Sequence, residues 1–278
     1  MCMPPSRVRR PRRYLTCEPR FFDVRYSINP WMHEDAPVDT ELARRQWATL
    51  IQTYRDHGHT VESVTPVPDL PDMVFAANAG LILGGRVFGS RYAAPQRQPE
   101  SAVYALWFKD AGFDVHEPEA ICEGEGDLVP VGPHLLAGTG FRTQAAAHQE
   151  AQEFFGVPTV TLRLVDPLFY HLDTALFALD DGQDGGPGNV VYHPDAFSPG
   201  SRAVLERLYP DAVLATREDA LAFGLNSVSD GRHVFIASQA VALADRLADR
   251  GYIPVPVDLS ELRKAGGGIK CCTQEVRP

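Results

Sequence analysis

Apolar residues along this chain fall into short runs that stop at glycine. Val74 to Leu83 is apolar, Gly84-Gly85 offers a turn, and Arg86-Val87-Phe88 leads back. Leu128 to Val131, Gly132-Pro133 and Leu135-Leu136-Ala137 repeat the pattern. So do Ala175 to Leu179, a glycine-rich turn around Gly185-Gly186, and Val190-Val191-Tyr192. A fourth copy runs from Ser227-Val228-Ser229 through Asp230-Gly231 to His233 to Ala237. Each reads as strand, turn, strand. The turns recur at roughly 50 residues, the mark of a repeat architecture.

Helical periodicity fills the gaps. Leu42, Ala43, Trp47, Leu50, Ile51 and Tyr54 fall on one helix face, and Gly58 stands where a C-terminal cap belongs. Residues 100–111, 144–155 and 239–250 show the same spacing, and Thr159 to Leu162 reads as a strand after a helix. The unit is therefore strand, turn, strand, helix, strand. Four units are visible, and Tyr14-Leu15 with Ile269 to Val276 could supply a fifth from the two chain ends. Radial repetition with meeting termini closes a propeller-like α/β fold. No internal linker appears, so residues 13–278 read as a single domain and residues 1–12, basic and proline-rich, as a disordered tail.

Composition adds three constraints. A chain of 278 residues with 44% hydrophobic positions can bury a large core, and its 23 glycines and 23 prolines suit a turn-rich mixed fold better than a helical bundle. The net charge of −10 argues against nucleic acid, which demands basic patches, and suits a small cationic ligand. No apolar core follows the basic N-terminal residues and no run reaches the length of a membrane span, so neither a secretory signal nor a membrane association is expected. The five cysteines are odd in number and form no C-x-x-C pair, which fits a reducing cytoplasm and excludes a zinc signature or disulfide framework.

Three clusters carry chemistry. Gly266-Gly267-Gly268-Ile269-Lys270-Cys271-Cys272-Thr273 combines backbone that can approach a ligand closely with thiols; alone it also reads as a turn before a last strand. In Phe169 to Thr174, a strand would put His171 and Asp173 on one face, a natural acid–base pair. Glu123-Gly124-Glu125-Gly126-Asp127 gathers carboxylates that repel one another unless a cation sits among them, either a metal such as calcium or a guanidinium. Together they supply a nucleophile, a proton shuttle and a cation clamp.

These motifs resemble the guanidino-group-modifying enzymes of the pentein fold. The matching segments are Ile28 to Met32, Met73 to Gly80, Glu123 to Asp127, Gly140 to Arg142, His171 to Thr174 and Gly266 to Thr273, spread over nearly the whole chain. The resemblance implies a five-bladed pseudo-symmetric αβ propeller with a central site. It implies Cys271 as nucleophile, His171 as general acid–base, and Glu123 as the family glutamate, with Glu125 as the alternative. Asp173, Asp127, Asn29 and Arg142 are implied as substrate-binding residues, with Arg91 and Arg97 as other candidates for a substrate carboxylate. Asn78 stands where deiminases and dimethylaminohydrolases usually carry aspartate. With the Asn-Pro-Trp-Met and Ala-Asn-Ala-Gly motifs, that points to arginine dihydrolases, which convert arginine to ornithine. Dimethylarginine dimethylaminohydrolase is the alternative, and a non-catalytic pentein-fold binding protein the alternative of another class. The chemistry implies a small cationic amino-acid substrate and calls for no metal and no organic cofactor; homo-oligomerisation is left open.

Overall fold

The computed structural model describes residues 7–182 and 186–277. Five three-stranded sheets carry one connection pattern. Among the described residues each pairs two strands antiparallel, as a hairpin in four of the five, and a third strand pairs parallel with one of them. Gly80–Leu83 and Arg86–Gly89 are joined by Asp114–His116. Leu128–Val131 and His134–Thr139 are joined by Thr159–Arg163. Leu176–Asp180 and Asn189–Tyr192 take Val213–Leu214, and Val228–Ser229 and His233–Ala237 take Ile253–Val257. The last sheet draws on both chain ends: Gln274–Glu275 pairs antiparallel with Arg13–Cys17, which pairs parallel with Thr60–Val64. The five-bladed αβ propeller is thus closed by the termini. Part of the turn expected around Gly185-Gly186 lies outside the described residues.

A parallel return needs a crossover, and in every unit a helix supplies it. The helices are Thr40–Asp56, Gln98–Asp110, Ala145–Phe155, Pro199–Leu208 and Val241–Asp249. Asp39 caps the first by accepting from the Leu42 amide. Helical spacing had not revealed Pro199–Leu208. Its Pro-Gly start looks like a turn, yet Ser198 caps it and Pro199 sits at the first helical position, where proline's fixed φ is already helical.

Two expectations are corrected. The apolar run from Val74 is a strand only from Gly80 onward; Pro71–Val74 and Ala76–Ala79 are 3-10 turns. Residues 7–12 of the expected tail are held against the body. The Arg10 amide donates to the Asp230 carbonyl, and Arg12, buried, pairs with Asp181 and Glu275. Residues 1–6 lie outside the described part. Among the described residues no helix is long and apolar enough to cross a membrane.

Candidate active site

The residues just before the first strand of each blade converge at the centre. Asn78 precedes Gly80–Leu83, the Glu123–Asp127 turn precedes Leu128–Val131, and Asp173 precedes Leu176–Asp180. Asn226 precedes Val228–Ser229, and Cys271 precedes Gln274–Glu275. Close approach is built in at Gly126. A Cβ there would stand 2.3 Å from the Asn78 amide nitrogen and 3.2 Å from His171 Nδ1.

His171 is gripped at both ring nitrogens. Nε2 lies 3.1 Å from Glu123 Oε2 and Nδ1 lies 2.9 Å from Asp127 Oδ2. Burial alone would lower the imidazole, but Asp127 and Glu123 hold it up at about 9, so it is charged at neutral pH. Burial would raise Glu123, yet the His171 hydrogen bond and the Arg142 cation keep its carboxyl well below the usual range. Asp127 has its oxygens committed: Oδ2 also accepts from the Thr143 hydroxyl at 2.7 Å, and Oδ1 accepts from the Leu172 amide at 3.0 Å. It orients the histidine rather than facing a substrate as expected. His171 and Asp173 do not share a strand face either, because Leu172–Thr174 is a 3-10 turn with His171 as its N-cap. That turn sends His171 to Glu123 and Asp127, and Asp173 to the cysteine.

The Cys271 thiol donates to Asp173 Oδ2 at 3.3 Å and accepts from the Asn226 amide at 3.1 Å. Burial, with the neighbouring Asp173 carboxylate, pushes the thiol well above its ordinary value. Burial also lifts Asp173 to about 6, against the pull of His171 and Lys270. Asp173 Oδ1 has no partner although buried. Cys272, fully buried, belongs to the same apolar cluster as Phe22 and Leu262.

A narrow pocket lined by residues including Asn29, Asp72, Asn78, Arg97, Arg142 and Tyr170 adjoins Glu123 through Asn78 and Arg142. Arg142 donates to Glu123 Oε2 at 3.0 Å and to the Ile28 carbonyl at 2.7 Å, and its guanidinium lies over the Tyr170 ring. Asn78 donates to the Glu123 carbonyl at 3.1 Å and accepts from Arg97 at 2.8 Å. Arg97 is held in turn by Glu100. Asp72 accepts from the Tyr26 hydroxyl through Oδ2 and leaves Oδ1 buried without a partner. Asn29 accepts from the Trp31 amide and donates to the Ala265 carbonyl. A larger surface groove, lined by Tyr92, Ser101, Leu106, Lys109 and Glu117 among others, contains none of the converging residues.

Glu125 is not in this cavity. It takes ion pairs from Lys270 and Arg277 and a hydrogen bond from the Glu275 amide at 3.0 Å, which ties the C-terminal segment to its neighbouring blade. Of the two glutamates, Glu123 is the one that meets His171. Arg91 is turned outward to the Glu119 carbonyl. Sequence reasoning passed over Asn226, Thr143 and Asp72. Asn226 was nonetheless findable: it occupies in its blade the place that Asn78 and Asp173 occupy in theirs.

No family model matches the chain. It is 46% identical over 275 residues to an N(G),N(G)-dimethylarginine dimethylaminohydrolase of Mycobacterium tuberculosis, covering 99% of this chain and 89% of that protein. The chain belongs to the guanidino-group-modifying, or pentein, superfamily. A second member, the bifunctional arginine dihydrolase/ornithine cyclodeaminase ArgZ of Synechocystis, is 37% identical over 271 residues; these span 95% of this chain but 37% of that protein. The crystal structure of the ArgZ N-terminal domain bound to product, described as a cyanobacterial arginine dihydrolase, superimposes with a TM-score of 0.89 at 35% identity, covering 96% of this chain and 98% of the domain. The pentein fold therefore extends over nearly the whole chain.

Proposed function

We propose that this protein hydrolyses guanidinium C–N bonds of L-arginine through a covalent Cys271 intermediate and carries the reaction through to ornithine. One observation supports the chemistry above others: a buried thiol is hydrogen-bonded to Asp173, a carboxyl that also feels the charge of His171, and His171 is held between Glu123 and Asp127. The unpartnered Asp173 Oδ1 offers an acceptor for a planar guanidinium. Asp72 Oδ1 is free to accept from a substrate ammonium, and Arg97 and Arg142 are cations for its carboxylate.

The thiol is protonated in the empty site. A guanidinium seated on Asp173 favours the thiolate, and the proton leaves to solvent. The sulfur pair then forms the S–C bond while the C=N π pair shifts onto nitrogen. Collapse breaks a C–N bond, and the departing nitrogen takes the His171 proton. Neutral His171 draws a proton from water, hydroxide adds to the thiouronium carbon, and the thiolate is expelled to give citrulline. A second round loses another ammonia, and the resulting carbamate releases carbon dioxide and ornithine.

Asn78 is what favours two rounds. The second must hold a neutral ureido group, and an amide both donates and accepts where aspartate only accepts. The 46% identity to a dimethylarginine dimethylaminohydrolase favours a second reading, release of dimethylamine from methylated arginine. Mass-spectrometric product analysis with L-arginine and with asymmetric dimethylarginine separates them. Ornithine with two ammonia per arginine supports the dihydrolase. Citrulline with dimethylamine, and little action on arginine, replaces it with the second reading.

A further inference from the structure

Asn226 lies between the short helix Arg217–Leu221 and the strand Val228–Ser229, almost wholly buried. Its amide orientation follows from its partners. The Cys271 main-chain amide can only donate, and it meets Oδ1 at 3.1 Å. The Asp173 carbonyl can only accept, and it meets Nδ2 at 3.1 Å. Nδ2 therefore also presents an N–H to Cys271 Sγ at 3.1 Å. The Asn226 carbonyl accepts from the Lys270 amide, so the residue grips the nucleophile's segment at its sulfur, its main chain and its preceding peptide. Space is left for it: a Cβ on Gly268 would stand 2.9 Å from Asn226 Oδ1.

The sulfur thus sits between opposed influences. Asp173 accepts the thiol proton and favours the neutral form, while a donor to sulfur favours the anion. Asp173, Tyr170 and Cys272 are the titratable groups that act on it directly, and His171 and Lys270 act through Asp173. The Gly268 main-chain amide is a further donor. Once the proton has gone, the Asp173 contact turns repulsive and the Asn226 donor remains.

We propose that Asn226 is a further catalytic residue of the covalent step, its Nδ2 amide holding Cys271 Sγ as a thiolate aimed at the guanidinium carbon. This rests on the reading of Cys271 as nucleophile. The thiol proton goes to solvent, the sulfur pair becomes the S–C bond, and Asn226 gives up no proton.

The test compares Asn226→Asp, which keeps an acceptor for the Cys271 amide and loses the donor to sulfur, with Asn226→Ser. Iodoacetamide is added without substrate at pH 8, and labelling of the Cys271 peptide is timed. Both variants are expected to alkylate about tenfold more slowly or worse, the change equivalent to one pKa unit or more in the thiol. kcat/KM should fall at least as far, with arginine affinity in a Cys271→Ser background changed less than threefold for Asn226→Ser. Wild-type alkylation rates in folded variants would overturn the proposal, even if turnover falls, because that pattern is merely structural. If Asn226→Asp does not fold, Asn226→Ser decides by the same readings. Wild-type protein inert toward arginine and dimethylarginine would sink the functional reading, while the alkylation comparison would still report on Asn226.

Discussion

His171 is the residue whose setting makes the sharpest demand. Two carboxylates hold its imidazolium, so in labelled protein its ring should titrate near 9 by NMR. Asp127→Asn keeps the shape and removes one charge, and should bring the midpoint down toward the ordinary 6.5. Equal midpoints in the two proteins would contradict the assignment. The same shift is a stability term. A raised folded-state value stabilises fully below the unfolded value near 6.5 and is lost as pH climbs through about 9. Wild type should therefore lose more Tm than Asp127→Asn between pH 6.5 and 9. Asn78→Asp should stop the reaction at citrulline; a variant still yielding ornithine as main product would remove the role given to Asn78. The segments that hold Cys271, His171 and Glu123 were legible as candidates because each is a dense local motif. Which carboxylate serves which partner was not, since Glu123 and Glu125 are two residues apart yet face different neighbours. Only the backbone turn between them decides that.

Elements explain where the reading of the chain faltered. Hairpins were visible as apolar runs ending at glycine turns, and four of the five crossover helices through a period of 3.6. The 3-10 turns that aim the functional side chains were not, because three or four residues are too few to show a period. Hence His171 and Asp173 read as one strand face when a turn separates their directions. The Gly124–Gly126 turn should accordingly be intolerant of side chains. Gly126→Ala drives a methyl against Asn78 and the His171 ring, and should cost about 1–3 kcal/mol of stability and most of the activity. Circular dichroism melts and turnover check this, and wild-type values in both would show that the turn yields.

At the scale of the molecule, the fifth blade joins the two chain ends, and that closure was readable from the leftover strands at each end. What locks it was not readable, because Glu125 lies about 150 residues from its partners, Lys270 and Arg277. Its side chain is almost wholly buried and faces two cations that are themselves largely buried. Glu125→Gln would leave Lys270 without a carboxylate and Arg277 with Glu275 alone, at a cost of about 3–5 kcal/mol. Tm should drop by roughly 10 °C, while the Glu123–His171 pair stays intact. An unchanged Tm would mean the C-terminal segment is held by its strand pairing alone. The basic start of the chain likewise looked free by composition, but Arg12 is drawn in by Asp181 and Glu275 at the same seam.

The central claim is a covalent bond between Cys271 and the guanidinium carbon. It is tested most directly by mixing protein with excess L-arginine, quenching in acid within the turnover time, and mapping peptides by mass spectrometry. The account predicts an adduct of arginine less ammonia on the peptide carrying Cys271, absent in Cys271→Ser, whose turnover should fall by a factor on the order of 10⁴ or more. Steady product formation with no adduct on Cys271, or a Cys271→Ser variant that keeps appreciable turnover, would contradict it.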